Sequence, residues 1–423
     1  MTRRIAVIGA GWAGLAGAVE CTARSAHVTL FEMAPLPGGR ARDIATSDAG
    51  LDNGQHICIG AYRETLRTLQ RIGVGERDAF VRMPLRLVDA EGFGLRLPAA
   101  QPQLAFARGV LGRRGWRLRD RLALLRCAFT WARGGFVCAP EATVADLAAA
   151  LPAIVRRELI EPLCVAALNT PLDLASGTVF LRILRDALAS GPGASDLLLP
   201  RLGLGSVLPG PALDWLAAQG ATVHLANRVD RIEAAGGAWL VDGVAFDAVL
   251  VATSANEAAR LLAAHDAAWA RRAAELRYEP IITVYATSRE TRLAEPMLAL
   301  RPDRAHPAQF VFDRGQLGGP PGLLAFVISG AAEWVERGLD ASEAATLAQA
   351  RDELGAQLRG PLEPLRTIVE KRATFRCSPL LDRPPMRVAA GLVAAGDYIE
   401  GPYPATLEGA VRSGIAAAGA ALG

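Results

Sequence analysis

The sequence predicts an α/β fold in which one doubly wound domain is built from separate segments of the chain. Three observations predict it. A strand–turn–helix–strand pattern spans residues 5–32, alternating apolar and polar residues return at 221–253, and a last strand and helix occupy 392–422. The residues between these segments show no second motif of the first kind, so they are interpreted as insertions into that domain.

The first segment has the glycine spacing of a dinucleotide-binding turn. An apolar run at 5–8 leads into the motif Gly9-Ala-Gly-Trp-Ala-Gly14, and a helical pattern follows. Gly9 permits the tight turn, Gly11 lets the backbone approach a pyrophosphate, and Gly14 lets the helix pack closely on the strand. This spacing in this context predicts a dinucleotide site.

The residues beside this turn predict hydrogen bonds to such a ligand. Trp12 and Ala13 begin the helix, whose free N–H groups and positive dipole end suit phosphates. Glu32 ends the second apolar run, about 20 residues after the glycines, where a carboxylate can accept hydrogen bonds from a ribose diol. Both features strengthen the prediction beyond that of the glycines alone.

Gly38-Gly39-Arg40 follows the acid and identifies the dinucleotide. Nicotinamide enzymes rarely have a second glycine pair and an arginine here, whereas the motif resembles that of FAD enzymes of the glutathione-reductase and amine-oxidase types. Gly39 lets the chain pass near the diphosphate, and Arg40 adds positive charge near the flavin. The alternative interpretation is a surface loop between strand and helix.

The closing segment supplies the second FAD motif. Gly396-Asp397 ends a short apolar strand and places a carboxylate for the ribityl chain. Ala405 and Thr406 lead the last helix, whose N-terminus then points at the flavin pyrimidine ring. A turn of this kind also occurs for structural reasons, but its pairing with the N-terminal motifs predicts FAD as the cofactor.

Composition excludes other classes of protein. A net charge of +3 predicts no nucleic-acid partner, and no apolar run reaches the 18 or more residues of a membrane-spanning helix. The six cysteines and five histidines are dispersed, which predicts reduced thiols in the cytoplasm and no metal site. The first strand begins almost at once, so we expect no signal peptide.

Four further blocks resemble a single family. They are DNGQH at 52–56 with GAYRET at 60–65, EPLC at 161–164 with ALNTP at 167–171, SDLLLP at 195–200, and EKRATF at 370–375. With the FAD motifs they make the chain resemble the squalene-associated FAD-dependent desaturases, also called hydroxysqualene dehydroxylases, of the amine oxidase/phytoene desaturase superfamily. The resemblance covers most of the chain.

The resemblance implies a reaction and two further cofactor contacts. Reduced FAD would give a hydride to an allylic C30 alcohol, with release of squalene and water in hopanoid synthesis. Val229 would approach the adenine, and Gly54 would lie at the flavin. The alternatives are an FAD-dependent desaturase or oxidase of a polyene or amine, and a prenyl-lipid carrier without a working flavin site.

The chemistry requires a proton for the leaving hydroxyl and a dry slot for the hydrocarbon. The candidate catalytic residues are His56, Lys371 and Tyr403, and the candidate substrate contacts are Gln55 and Asn169. His56 has a suitable ordinary pKa of about 6.5, although it also suits a structural role in its turn. Lys371 either holds a water near the flavin or is a surface residue, and Asn169 either faces the substrate or caps a helix.

The domain organisation follows from these motifs. The FAD-binding domain is expected at 1–75, 216–255 and 386–423. Residues 76–215 are expected to form a mostly helical insertion that faces substrate and membrane, with a strand pair near 86–97. Residues 256–385 are expected to form a mixed-sheet substrate domain, with strands near 281–286, 309–312 and 323–329.

A local excess of arginine marks residues 101–135. This segment has eight arginines against one acid, Asp120, interleaved with leucine, phenylalanine and tryptophan at helical spacing. The pattern is typical of a helix on an anionic membrane surface, and also of a solvated basic helix packed on its own domain. The lipid substrate favours the first interpretation, which predicts peripheral contact with the inner face of the cell membrane.

Overall fold

The computed structural model describes residues 2–44, 51–201 and 203–423. Nineteen strands lie within these ranges. In chain order they are β1 (Arg4–Ile8), β2 (His27–Phe31), β3 (Cys58–Ile59), β4 (Phe80–Met83), β5 (Arg86–Val88), β6 (Gly94–Arg96), β7 (Leu197–Pro200), β8 (Thr222–His224), β9 (Ile232–Ala235), β10 (Ala238–Val241), β11 (Val244–Phe246), β12 (Ala248–Val251), β13 (Tyr278–Thr287), β14 (Met297–Ala299), β15 (Phe310–Asp313), β16 (Leu323–Ile328), β17 (Glu363–Phe375), β18 (Arg387–Ala389) and β19 (Leu392–Ala394).

The same ranges contain sixteen α-helices, a π-helix at Arg156–Ile160 and a 3-10 helix at Arg314–Leu317. In chain order the α-helices are α1 (Trp12–Ala23), α2 (Arg63–Arg71), α3 (Glu76–Ala79), α4 (Pro102–Leu111), α5 (Leu118–Arg133), α6 (Val144–Ala148), α7 (Ala153–Val155), α8 (Glu161–Leu168), α9 (Gly177–Ala189), α10 (Leu204–Val207), α11 (Pro209–Ala218), α12 (Ala255–Leu262), α13 (Ala267–Ala274), α14 (Ala332–Arg337), α15 (Leu339–Leu354) and α16 (Leu407–Leu422).

Distant parts of the chain build the first large sheet, in the order β18-β19-β12-β1-β2-β8. Strands β19, β12, β1, β2 and β8 are parallel, and β18 pairs antiparallel at the edge. Both faces of the central strands are covered, which explains their unbroken apolar sequences. Helices α1 and α16 pack on one face, while Trp239 and Phe246 of the small sheet β11-β10-β9 pack on the other.

Helix α16 is held tightly against the N-terminal part of the chain. A Cβ on Gly414 would lie 2.0 Å from the Ala13 carbonyl oxygen, so α16 and α1 approach closely at this glycine. The fully buried Glu408 accepts hydrogen bonds from the Thr65 N–H (2.9 Å) and hydroxyl (2.7 Å) at the start of α2. A carboxylate is favourable at a helix N-terminus, so Glu408 joins α16 to α2.

The second large sheet is antiparallel, in the order β14-β15-β16-β13-β17. One face of β13 carries Ile282 and Val284, which pack with Leu347 of α15. The alternate residues Ile281 and Tyr285 belong to a separate core cluster on the opposite face. The period of two along the strand thus gives the sheet one face toward its helices and one toward the candidate site.

Several predicted elements are present, and six strands were not predicted: β3, β4, β7, β14, β17 and β18. The predicted strand pair is β5–β6, and β13, β15 and β16 lie where strands were expected. Gly236 and Gly237 form the hairpin turn between β9 and β10, both with positive φ. The longest of the six unpredicted strands is β17, with 13 residues; its first four residues are exposed and lack the alternation that predicts a half-buried strand.

Helices α4 to α9 supply most of the helical insertion that was expected between 76 and 215. None of the helices in the described ranges combines the length and apolar character that crossing a membrane requires.

Candidate active site

A cavity of about 550 Å³ is lined by residues from both large sheets and from α8. Almost all the residues predicted to bind the cofactor lie in its wall, namely Gly9, Gly11, Trp12, Ala13, Glu32, Gly39, Arg40, Gly54, Val229, Gly396, Asp397, Ala405 and Thr406. Gly14 is outside the wall and serves the packing of α1. The two predicted substrate contacts, Gln55 and Asn169, line the same cavity.

The structure gives a different explanation for glycine at each of the three positions of the opening motif. Gly9 has φ +103°, and a Cβ there would lie 2.6 Å from the Ala252 carbonyl oxygen. A Cβ on Gly14 would lie 1.8 Å from the Gly9 carbonyl oxygen. Gly11 differs from both, because no atom of its surroundings lies within 4 Å of a Cβ there. Folding therefore requires Gly9 and Gly14, whereas Gly11 leaves open space in the cavity for a ligand.

The space in front of Gly11 suits a diphosphate and a ribose. Helix α1 begins there without a side-chain cap, so its first N–H groups face the cavity unpaired by a side chain. Glu32 is buried and accepts hydrogen bonds from the N–H groups of Ala10 (2.6 Å) and Ala34 (2.8 Å). Each carboxylate oxygen keeps a lone pair for a ribose hydroxyl. These residues fit the nucleotide part of FAD.

Arg40 and Asp397 lie together, although the sequence predicted separate roles for them. An Nη of Arg40 is 2.5 Å from Oδ1 of Asp397, and the other Nη donates to the Ala373 carbonyl oxygen at 2.9 Å. Asp397 is buried and follows β19, while Ala373 lies on β17. Arg40 thereby joins the N-terminal segment, the closing segment and the second sheet at the cavity wall.

The 53–56 loop is also tied to the second sheet. The Asn53 amide donates to Glu370 of β17 at 2.9 Å, and the Gln55 amide oxygen accepts from Arg314 at 3.3 Å. Arg314 is itself buried and follows β15. Asn53 and Gln55 are therefore held in the wall by side chains that are distant in sequence, and sequence inspection gave no signal for either pair.

His56 lines the cavity, but its hydrogen bonding does not favour the proton-donor role predicted for it. Its Nδ1 lies 2.8 Å from the Gly54 carbonyl oxygen, which can only accept, so Nδ1 carries a hydrogen. Burial lowers the pKa of His56 below its ordinary value; the bond to Gly54 opposes this and Arg40 adds to the lowering. The ring is neutral, with a lone pair on Nε2.

The other two candidate catalytic residues lie outside the cavity wall. Lys371 is exposed on β17, and the neighbouring Glu370 faces the cavity instead, because successive side chains on a strand alternate. Tyr403 lies between two guanidinium groups, those of Arg182 (5.2 Å) and Arg412 (4.7 Å from the ring centroid). The predictions that Lys371 and Tyr403 act at the flavin are therefore corrected.

Asn169 lines the cavity with its amide already engaged. It ends α8 in the left-handed region (φ +47°), and its Nδ2 donates to the Glu279 carbonyl (3.2 Å) and the Thr374 hydroxyl (3.0 Å). Its Oδ1 accepts from the Gly330 N–H at 2.6 Å. Of the two roles predicted, this geometry favours the structural one, in which Asn169 fastens the helical insertion to the second sheet.

Sequence reasoning missed the apolar part of the wall. It consists of Ile57 and four side chains of the second sheet, Ile281, Phe310, Phe312 and Val327. The alternation within β15 contained this signal, since Phe310 and Phe312 are two residues apart and share a face. This wall gives the cavity a water-excluding side next to the polar loop 53–56.

A buried carboxyl lies beneath that loop. Asp52 is 1% exposed, its Oδ1 accepts from the Leu204 N–H at 2.6 Å, and its buried Oδ2 has no hydrogen-bond partner among the described residues. Burial raises the pKa of Asp52 to about 8; the bond from Leu204 and the charge of Arg314 oppose this, and the adjacent Asp43 adds to it. Asp52 is therefore mostly protonated at neutral pH.

Asp52→Asn is expected to change the pH dependence of stability. The folded state holds a proton on Asp52 between pH about 4 and 8 that the unfolded state has lost, so wild-type stability falls as pH rises through this window, by up to about 1.4 kcal/mol per pH unit. Asparagine keeps the acceptor for Leu204 and has no proton to lose. The free energy of unfolding of the variant relative to wild type should therefore rise steadily with pH.

Urea unfolding at intervals from pH 4.5 to 8.5 measures this difference. The matched control is Asp146→Asn, since Asp146 is an exposed carboxylate whose pKa is lowered by its bonds to Thr143. The control should show no gain relative to wild type as pH rises. A constant difference between Asp52→Asn and wild type across the range would contradict a protonated Asp52.

Comparison with known proteins agrees with this geometry. The family model for flavin containing amine oxidoreductase matches residues 12–422. Two relatives named hydroxysqualene dehydroxylase are similar over their whole length: one from Sinorhizobium fredii (29% identical, 100% of this chain and 99% of that protein) and one from Rhodopseudomonas palustris (27%, 99% and 98%). A solved oxidoreductase from Methanosarcina mazei shares the fold, with a TM-score of 0.74 at 17% identity over 98% of this chain and 99% of that one.

Proposed function

Since the chain belongs to the family of flavin-containing amine oxidoreductases, we propose that it uses FAD to reduce hydroxysqualene to squalene. The observation that carries this proposal is the cavity, which joins a glycine-lined part suited to a dinucleotide with an apolar wall suited to a hydrocarbon. The full-length similarity to relatives named hydroxysqualene dehydroxylase supports the substrate.

The residues proposed to hold FAD are those of the motifs in the wall. Gly11, Gly39 and the start of α1 would receive the diphosphate, and Glu32 the ribose of the adenosine. Val229 is buried beside this part of the cavity and would contact the adenine. Asp397, oriented by Arg40, would accept hydrogen bonds from the ribityl chain, and the N-terminus of α16 would face the pyrimidine ring.

The reaction replaces an allylic C–O bond by a C–H bond. When bound in its reduced form, FAD would supply the hydride, and one proton would convert the leaving hydroxyl into water. Ile281, Phe310 and Phe312 would hold the isoprenoid and exclude water from the reacting carbon. Because these side chains are fixed on strands of one sheet, they present a preformed surface to the chain of the substrate.

An anaerobic single-turnover experiment tests the proposal. Holoenzyme reduced with light and EDTA is mixed with hydroxysqualene, and the flavin absorbance and the extracted lipids are followed. We expect reoxidation of the flavin with formation of one squalene per flavin. Flavin that stays reduced while hydroxysqualene is recovered unchanged would contradict the proposal. Reduction of oxidised holoenzyme by a polyene or an amine in the same apparatus would instead support a desaturase or an oxidase.

We also propose that α4 and α5 contact an anionic membrane, the source of the lipid substrate. Five apolar side chains of this hairpin are exposed: Leu104, Leu111, Leu118 (62%), Leu122 and Phe129 (64%). Six arginines are exposed among them: Arg108, Arg114, Arg117, Arg119, Arg126 and Arg133. Trp116 is buried and Trp131 is half-buried against the same core cluster, so the exposed leucines and Phe129 would enter the bilayer. Exposed apolar groups surrounded by arginine suit an anionic surface.

Replacing the two most exposed side chains of this set is expected to weaken membrane binding. Leu118→Ser with Phe129→Ser should lower the partition coefficient onto phosphatidylglycerol-containing liposomes by about tenfold or more, since each side chain is worth about 1.5–3 kcal/mol when buried in apolar surroundings. Cosedimentation measures the partition, which for wild type should weaken as salt rises.

Leu365→Ser is the matched control, because Leu365 is an exposed leucine of β17 far from the hairpin in sequence. Its partition should equal that of wild type. Wild-type protein that stays in the supernatant at low salt would show that the hairpin is only a solvated basic surface.

A further inference from the structure

We propose that Nε2 of His56 accepts a hydrogen bond from the hydroxyl group of the substrate, so that His56 selects an alcohol over a hydrocarbon. This inference rests on the proposed function, because it assigns a specificity-determining contact within the same cavity.

The direction of the hydrogen bond follows from the tautomer. Nδ1 lies 2.8 Å from the Gly54 carbonyl oxygen and must donate to it. In the neutral ring Nε2 is then an acceptor with one lone pair, and no described residue donates to it. His56 lines the cavity, so a bound molecule can supply the hydrogen-bond donor that Nε2 lacks in the protein. An alcohol supplies the required O–H donor, and squalene does not.

The neighbouring acceptor oxygens each already receive a hydrogen bond from the protein. The Gln55 amide oxygen accepts from Arg314, and the Asn169 amide oxygen accepts from the Gly330 N–H. Glu370 accepts from the Asn53 amide and from the Arg372 N–H. Nε2 of His56 differs from these acceptors, because none of the described residues donates a hydrogen bond to it.

The apolar surroundings make this contact discriminating. Ile57 adjoins His56 in sequence, and Ile281, Phe310 and Val327 line the same cavity. A hydroxyl that enters such a wall loses its water partners and needs a replacement, while a hydrocarbon leaves Nε2 unpaired. A site that hydrogen-bonds a substrate hydroxyl discriminates strongly against an analogue that lacks the hydroxyl. This discrimination is much larger than that of an apolar pocket between ligands of different size.

Binding to oxidised holoenzyme tests the inference without turnover. Hydroxysqualene and squalene, each dispersed in the same detergent, are titrated into wild type, His56→Phe and His56→Gln while the flavin spectrum is recorded. Wild type should prefer the alcohol by about 10- to 100-fold, the range expected for one buried hydrogen bond. His56→Phe should lose this preference with squalene affinity unchanged, and His56→Gln, whose amide oxygen reaches a similar position, should recover part of it.

The outcomes separate this inference from the proposed function. A wild type that binds both lipids without preference, or a His56→Phe variant that keeps the wild-type preference, overturns the inference alone. The single-turnover experiment with reduced holoenzyme decides the proposed function separately. Nitrogen NMR of wild type labelled in its five histidines gives an independent readout if His56→Phe does not fold. Hydroxysqualene, but not squalene, should shift one neutral Nε2 resonance, and the absence of any shift would contradict the inference.

Discussion

Gly11→Val is expected to leave the polypeptide folded and to abolish tight FAD binding. Gly11 has extended backbone angles that any residue adopts, and a Cβ there meets no protein atom within 4 Å. The new side chain would occupy the space proposed for the diphosphate and keep it from the N–H groups of α1. Losing two charge-assisted hydrogen bonds corresponds to an increase in Kd of about 100-fold or more.

Isothermal titration of apoprotein with FAD measures this effect, and the thermal midpoint of the apoprotein serves as the folding readout. Gly14→Val is the matched variant within the same motif. Its Cβ would collide with the Gly9 carbonyl oxygen, so the apoprotein itself should be strongly destabilised. Normal FAD affinity in Gly11→Val would show that the diphosphate does not lie against this turn.

Arg40→Met is expected to weaken both FAD retention and the fold. The substitution leaves the buried Asp397 without its cationic partner and removes the bond to the Ala373 carbonyl oxygen. Removing one partner of a buried pair costs about 3–5 kcal/mol, and the partial exposure of Arg40 reduces this to about 2 kcal/mol. FAD should dissociate at least about tenfold faster, because Asp397 is no longer oriented toward the ribityl chain.

Chemical unfolding of the apoprotein and fluorescence of released FAD measure the two effects separately. Arg24→Met is the control, since Glu20 keeps Arg71 as a second partner when Arg24 is removed. Adding Asp397→Asn to Arg40→Met should recover part of the stability, because it removes the unpaired charge. If the double variant were as unstable as the sum of the single variants, the pair would not be the cause.

The sequence predicted both the presence and the location of the motifs whose residues lie close together along the chain. Gly9, Gly11, Gly14 and Glu32 lie within one strand–turn–helix–strand unit, and their geometry is fixed by neighbours along the chain. The closing segment was predictable for the same reason. The family model and the solved neighbour confirm the flavin-enzyme fold that these short-range patterns predicted.

The contacts between distant segments were not predictable. Arg40 and Asp397 are 357 residues apart, and nothing in either motif indicates that the side chains meet. Lys371 and Glu370 are adjacent on β17, and this strand begins exposed, without an apolar alternation in its sequence that would show which of the two faces the cavity. The tautomer of His56 depends on the carbonyl of Gly54, which is a property of the folded loop and not of the residue types.

Strand β19 pairs with β12, and helix α16 packs on α1. The order in which the chain is synthesised therefore limits when this domain can fold. The ribosome releases the glycine-rich turn early, whereas the strand and helix that complete its domain follow only after both insertions. Until then the apolar surface of α1 and one edge of β12 stay uncovered, and both favour aggregation of a nascent chain. A chain that terminates before β19 and α16 would therefore carry an intact glycine motif and still form an incomplete site.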